Sequence, residues 1–163
     1  MLTMKRISGF TLIELVVAIV ILGILSVVAA PKFLGLQSDA RAAALKGLRG
    51  SMEGAAAIVY GKAAVAGVEN LPASSGQVTT VDGVEIDFGY PTASESGIGT
   101  AVQGLSGDNS DWKQLGAHTE AVPNEVIVYS FENAQENETC VVIYRSNASA
   151  GAPTILSSEA DLC

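Results

Sequence analysis

One carboxylate lies inside a long apolar segment near the start of the chain. Glu14 is the only charged residue in the 21 residues from Phe10 to Ala30. Such a segment is long enough to cross a bilayer as a helix, because about 20 residues cover the hydrocarbon core. A charge there costs a few kcal/mol unless it is paired, and it marks a functional site by default. The position of Glu14 therefore predicts that its carboxylate meets a positive group.

The residues before the apolar segment indicate membrane insertion. Lys5 and Arg6 form a basic segment of the kind that stays on the cytoplasmic side. An ordinary secretory signal would be cut after Ala30, but the apolar run exceeds the usual ~7–15 residues and Pro31 would be badly placed just past the cut. A plain single-span anchor is long enough, but it leaves Glu14 without a purpose.

A third interpretation gives Glu14 a partner. A cut between Gly9 and Phe10 would free an α-amine on Phe10, four residues and about one helical turn before Glu14. The amine and the carboxylate could then neutralise each other, within one chain or between neighbouring chains. Glu14 would also lie in the first helical turn, where the helix dipole favours a negative charge. Between chains, such a pair would fix the axial register.

The segment Gly9-Phe10-Thr11-Leu12-Ile13-Glu14 resembles the prepilin cleavage motif of type IV pilins, and the short basic leader matches that family. The resemblance implies cleavage after Gly9 by an inner-membrane prepilin peptidase, which would remove residues 1–9. It also implies N-methylation of Phe10 and assembly into a pilus. In this family the glutamate that Glu14 matches pairs with the amine of an adjacent subunit.

A single long helix is predicted from Phe10 to about Gly61. Residues 10–31 are apolar on all sides, as in a membrane span that later becomes a filament core. Residues 32–62 are amphipathic. An apolar stripe with spacings of three and four runs along this segment and one residue beyond it: Leu45, Leu48, Met52, Ala55 or Ala56, Val59 and Ala63. We expect this stripe to pack against the sheet of the same chain; a surface that binds a partner is the alternative. The resemblance implies that the helix unwinds near Gly23 and Pro31 in the filament, and proline does remove a helical hydrogen bond.

The remaining residues, 63–163, predict a β-rich head. Residues 78–81 and 84–88 alternate around Asp82-Gly83, which is a hairpin signal. Residues 125–131 and 139–145 predict an antiparallel pair, and 91–107 a loop that holds at most one short helix. The last eighteen residues predict a loop. The expected class is α+β, and the resemblance implies the ladle of type IV pilins, a helical spine packed on a small antiparallel sheet.

Two cysteines, Cys140 and Cys163, are present. In an exported domain a bridge between them would add roughly 3 kcal/mol of stability, whereas in a cytosolic protein both would stay reduced. Their spacing fits neither a zinc site nor a redox CxxC motif. The resemblance to type IV pilins implies a disulfide that bounds a surface loop near the C-terminus.

The charges are unevenly distributed along the chain. Residues 32–62 carry five Lys or Arg against two acids, whereas residues 63–163 carry two against fourteen. A basic helix and an acidic head suggest attraction between neighbouring copies; an acidic domain kept soluble by its charge is the alternative. The acidic head disfavours nucleic-acid binding, which needs a basic patch.

No constellation for catalysis, metal or cofactor binding is predicted, since the single histidine, His118, lies in a polar loop without a nucleophile pattern. We therefore predict a structural protein, a major pilus subunit that moves from the inner membrane to a surface fibre of a Gram-negative bacterium. Its partners would be further copies, prepilin peptidase and the assembly platform. The alternatives are a type II secretion pseudopilin and a membrane-anchored enzyme or receptor. Residues 81–94 resemble the mannose-sensitive haemagglutinin pilins, which implies adhesion and biofilm formation.

Overall fold

The computed structural model describes residues 9–73, 79–107, 110–116, 126–135, 139–147 and 150–163. The chain divides into two compact units, Met1–Gln37 and Ser38–Cys163. One long helix precedes all the strands, which confirms the predicted α+β class. In chain order the elements are α1 (Leu12–Ala66), β1 (Thr79–Val81), β2 (Val84–Asp87), β3 (Tyr90–Pro91), a π-helical turn (Glu95–Gly99), β4 (Trp112–Gln114), β5 (Val126–Phe131), β6 (Val142–Arg145), β7 (Thr154–Ser157) and a 3-10 turn (Ala160–Leu162).

Helix α1 ends five residues later than predicted, because a glycine cap closes it at Gly67. Gly67 has a φ of 70°, and its N–H donates to the carbonyl of Ala64 at 3.2 Å. The N–H of Val68 donates to the carbonyl of Ala63 at 3.0 Å. These two bonds form a Schellman motif, which satisfies the carbonyls of Ala63 and Ala64 in the last turn of the helix. Ala63 is fully buried, so the last turn is also held by packing.

The first sheet is the predicted hairpin with one further strand. Strands β1, β2 and β3 are antiparallel neighbours in that order. Asp82 and Gly83 have φ angles of 50° and 81°, as a two-residue type I′ turn requires. The pairing confirms the prediction over 79–81 and 84–87, while position 78 lies outside the described residues.

The second sheet corrects the prediction near the C-terminus. Its antiparallel order is β4-β5-β6-β7. Strand β5 was predicted, and β6 was predicted to begin at residue 139 but begins at Val142. The prediction of a loop over the last eighteen residues was wrong, because β7 and the 3-10 turn lie there. β7 is a four-residue edge strand in which only Ile155 is buried, so its sequence carries little alternation to reveal it.

The predicted apolar stripe of α1 packs on the sheet of its own chain. Leu45, Leu48 and Met52 are buried in one cluster with side chains of β5, β6 and β7. Val59 and Ala63 form a second cluster with β2. Of the two alternatives at the middle of the stripe, Ala56 is buried and Ala55 is partly exposed. The expected packing of the stripe within the chain is therefore confirmed.

Two tyrosines place phenol groups inside the second unit. The hydroxyl of Tyr144 donates to the carbonyl of Pro91 at 2.7 Å. Burial, with a smaller effect of the nearby Glu95 carboxylate, raises the pKa of Tyr129 to about 12. Burial likewise raises the pKa of Tyr144. Both phenols are therefore neutral at physiological pH, as an apolar interior requires.

The basic part of α1 contacts acids of the same chain. Lys46 pairs with Glu159 at 3.0 Å and Lys62 with Asp82 at 2.6 Å. Arg49 pairs with Glu53 at 2.8 Å, and the guanidinium of Arg41 lies 5.6 Å from the centre of the Phe131 ring. These contacts engage, within one chain, four of the five basic residues from which attraction between copies was predicted. That attraction stays a prediction.

The π-helical turn depends on a residue without a side chain. The hydroxyl of Ser94 accepts a hydrogen bond from the N–H of Gly97 at 2.9 Å, and the carbonyl of Thr92 accepts from Ile98 at 3.0 Å. A Cβ on Gly97 would lie far inside van der Waals contact of the carbonyl and hydroxyl oxygens of Thr92. Since the obstacle includes backbone, it cannot turn away.

We expect Gly97→Ala to lower the free energy of unfolding by about 3 kcal/mol, because the turn must shift to admit the methyl group. Gly47→Ala is the matched control: its Cβ meets no atom within 4 Å in a helix, so it should add about 1 kcal/mol. Guanidinium denaturation of the full chain in detergent micelles measures both. Equal effects of the two substitutions would contradict this packing.

Candidate functional site

The first turn of α1 satisfies the Glu14 carboxylate through its neighbour Thr11. The backbone N–H and the hydroxyl of Thr11 both donate to Oε2 of Glu14 at 2.9 Å. In return, the N–H of Glu14 donates to the Thr11 hydroxyl oxygen at 3.3 Å. Two free donors at the helix start are thereby satisfied reciprocally, which is a capping box.

Thr11 is the site residue that the sequence-based interpretation missed. The signal was present as Thr-x-x-Glu directly before an apolar run. The same carboxylate thus has a local role in the helix cap besides the role that its charge indicates. Glu14 therefore has one partner that depends only on the chain's own first helical turn.

The two oxygens of the Glu14 carboxylate are used unequally. Both bonds from Thr11 go to Oε2, and within the part of the chain that the structure describes, Oε1 accepts no hydrogen bond. The two donors stabilise the carboxylate but leave its negative charge in place. Oε1 is thus open to a further donor, and a cationic one would complete the pairing.

The surface around Glu14 is apolar and uncovered. Phe10 is 88% exposed, and Leu12, Ile13 and Val17 are also exposed. By length and composition, α1 is the one helix of the described residues that could cross a membrane. An apolar surface of this extent must be covered by lipid or by protein.

The other predicted site residues lie as follows. Gly9 and Phe10 are exposed and lie just before α1, which begins at Leu12. Gly23 and Pro31 lie within α1, which is helical at both positions, so the expected unwinding in a filament stays a prediction. Cys140 and Cys163 form a disulfide in the second unit, as the resemblance implies. His118 lies outside the described residues, and those residues hold no cluster of potential metal ligands.

Comparison with protein families matches residues 4–30 to the prokaryotic N-terminal methylation motif. The matched stretch contains Gly9, Phe10, Thr11 and Glu14. No curated protein and no solved structure matches the chain. The motif supports a type IV pilin-like protein, a class that includes pseudopilins, and such families are typically structural. The motif implies processing by a prepilin peptidase and, in general, assembly into a pilus. Together with the apolar helix, the motif fits a precursor in the inner membrane.

Thr11→Val keeps the shape of the side chain but removes the hydroxyl from the capping box. We expect the amide hydrogen of Glu14 to exchange about fivefold faster, because a lost cap costs about 1 kcal/mol. Hydrogen exchange of the full chain in micelles measures this. Thr11→Ser retains the hydroxyl and should exchange as the native chain does. Unchanged exchange in Thr11→Val would show that the hydroxyl contributes nothing.

Proposed function

We propose that this chain is a structural subunit of a type IV pilus. Cleavage after Gly9 and methylation of Phe10 would precede its polymerisation through the N-terminal helix. The observation that carries the proposal is the Glu14 carboxylate, which has one oxygen without a partner among the described residues and lies on an exposed apolar helix, four residues after Phe10. The motif match over residues 4–30 supports it.

In the proposed mechanism cleavage creates the missing cation. Before the cut Phe10 carries a neutral peptide nitrogen, and Thr11 alone satisfies Glu14. After the cut Phe10 carries an amine that stays positive when methylated. In an apolar medium an unpaired charge is costly, and the opposite charge of a neighbouring chain is strongly attracted. Thr11 occupies Oε2, so the amine of a neighbour would bind Oε1.

This pairing explains how copies would be placed along a fibre. Apolar side chains alone give little axial specificity, because similar contacts recur at several offsets. A single charge pair in an apolar interface selects one offset, as a buried polar residue does in a coiled coil. The proposed role of Glu14 is therefore register as well as attraction.

We expect Glu14→Gln to insert into the membrane but to form no fibres. Glutamine can still accept the bonds from Thr11, so the substitution removes the charge and retains the cap. Leaving the partner amine unpaired should weaken association by more than about 100-fold. Electron microscopy of shed fibres and membrane fractionation measure the two steps. Normal fibres from Glu14→Gln would rule out an ion pair as the assembly contact.

The maturation step is tested at the N-terminus itself. We expect mass spectrometry of the membrane-bound protein to show a chain that begins at Phe10 and carries one methyl group. Gly9→Ser, or a larger residue at this position, should leave the leader attached. Gly23→Ala is the control: a Cβ at Gly23 meets no atom within 4 Å, and this variant should be processed normally. Mature protein that begins at another residue would overturn the proposal.

Fewer observations distinguish a pilin from a pseudopilin. The motif supports both, and the Cys140–Cys163 disulfide near the C-terminus favours the pilin. Within the proposal the fibre lies outside a Gram-negative cell, and adhesion and biofilm formation follow from the likeness of residues 81–94 to mannose-sensitive haemagglutinin pilins. Surface fibres labelled by an antibody to this chain would distinguish the two classes.

A further inference from the structure

A small pocket lies in the unit Ser38–Cys163, where α1 meets strands from both sheets. Its volume is about 310 Å³, near the lower end of the roughly 300–1,000 Å³ of small-ligand sites. Glu53, Ala56 and Tyr60 line it from α1, Tyr90 from β3, and Pro153 and Ile155 from the start of β7. We call this site the tyrosine pocket. It is separate from the Glu14 site and has no part in the proposed assembly.

The local fold brings apolar and polar side chains together in the tyrosine pocket. Glu53, Ala56 and Tyr60 follow one another at intervals of three and four, so they share one side of α1. Ala56 and Ile155 are buried and provide apolar walls. The pocket is therefore mainly apolar, with the Glu53 carboxylate as its one charged group.

Two tyrosine rings form one wall and are held in place by the chain itself. The rings of Tyr60 and Tyr90 stack with their centres 4.5 Å apart and their planes 19° apart. Gly89 has a φ of 80°, and a Cβ there would lie only 2.9 Å from Cδ2 of Tyr60. The backbone of the β2–β3 turn thus packs closely on the Tyr60 ring. Rings fixed in this way need no ordering when a ligand binds.

The charge of the pocket favours a cation. Oε1 of Glu53 accepts a hydrogen bond from Nε of Arg49 at 2.8 Å, and within the described residues Oε2 accepts none. Arg49 does not line the pocket, so of this ion pair only the acid faces the ligand space. Residues 38–163 carry six Lys or Arg against sixteen Asp or Glu, and such a balance attracts cations and repels anions.

The walls of the pocket indicate which kind of cation would fit. The face of a tyrosine ring attracts a positive charge within about 6 Å of its centre. A primary ammonium group brings N–H donors, and each donor left unsatisfied against apolar walls costs free energy. A quaternary ammonium group carries its charge behind methyl groups, which apolar walls and aromatic faces accept without loss.

We propose that the tyrosine pocket binds a small quaternary ammonium cation. Its methyl groups would lie against Ala56, Ile155 and the two tyrosine rings, with the positive charge beside the free oxygen of Glu53. Tyr60, Tyr90 and Glu53 would thus be the ligand-binding residues. The inference does not rest on the proposed pilus function, because a single copy of the chain contains the whole site.

Titration with choline tests the site directly. In the full chain, in micelles of a non-ionic polyoxyethylene detergent, we expect choline to shift the backbone amide signals of Ala57, Tyr90 and Ile155 in a saturable manner. The neutral compound 3,3-dimethyl-1-butanol has the same shape without the charge, and ethanolammonium has the charge without the methyl groups. Each should bind about fivefold more weakly than choline. Equal affinity for either compound, or no saturable shift with choline, would overturn the inference.

Two pairs of variants show whether the named side chains are responsible. Glu53→Gln still accepts from Arg49 but loses the charge, so it should bind choline about fivefold more weakly and the neutral compound unchanged. Glu159→Gln removes an acid that does not line the pocket and should bind choline as the native chain does. Tyr60→Leu should weaken choline binding about fivefold, whereas Tyr60→Phe keeps the ring and should not. The same loss in both glutamate variants would show that the acidity of the whole unit, not the pocket, attracts the cation.

A further titration distinguishes a free cation from a lipid headgroup. Phosphocholine carries a phosphate beside the same ammonium group, and the Glu53 carboxylate would repel it, so it should bind more weakly than choline. Tighter binding of phosphocholine would contradict the proposed ligand. None of these titrations involves fibres, so their failure would leave the pilus function standing, and a chain that forms no fibres would leave the tyrosine pocket standing.

Discussion

A carboxylate in an apolar segment always needs a hydrogen-bond donor or a positive charge as its partner. In the structure Thr11 is this partner, with two hydrogen bonds to one oxygen of Glu14, and the helix start is satisfied by the same contact. The arrangement is local, so it forms as soon as the first turn folds and needs no partner. It leaves the second oxygen and the net charge unused, and a neighbouring chain can exploit them only where a cation is supplied.

The two parts of the long helix α1 have different surroundings. Residues 12–31 are apolar on all sides and uncovered, whereas from Ala42 to Ala63 one face is buried against the sheets of the same chain. The ion pairs of Lys46, Arg49 and Lys62 lie at the surface, where each contributes at most about 1 kcal/mol. The apolar clusters, rather than these pairs, therefore hold the helix on the sheet.

The sequence predicted those elements whose signal is contained in neighbouring residues. The hairpin around Asp82-Gly83 and the buried stripe of α1 were confirmed, because turn chemistry and helical periodicity are local properties. Strands β3, β4 and β7 were missed, because each has two to four residues and exists through pairing with a strand elsewhere in the chain. Thr11 was missed for another reason: the sequence contains the Thr-x-x-Glu pattern of a capping box, but the charge of Glu14 by itself indicated a different role for that residue.

By itself, the sequence determined a membrane-length helix with one acid, the cleavage-like motif before it, and a turn-rich acidic region after it. These follow from composition and short-range order. Only the tertiary structure decided that the helix continues to Ala66, that its glycines face outward, that β7 closes the second sheet and that Cys140 bonds Cys163. Each of these depends on which distant segments meet, and loop closure and packing between such segments leave no pattern in adjacent residues.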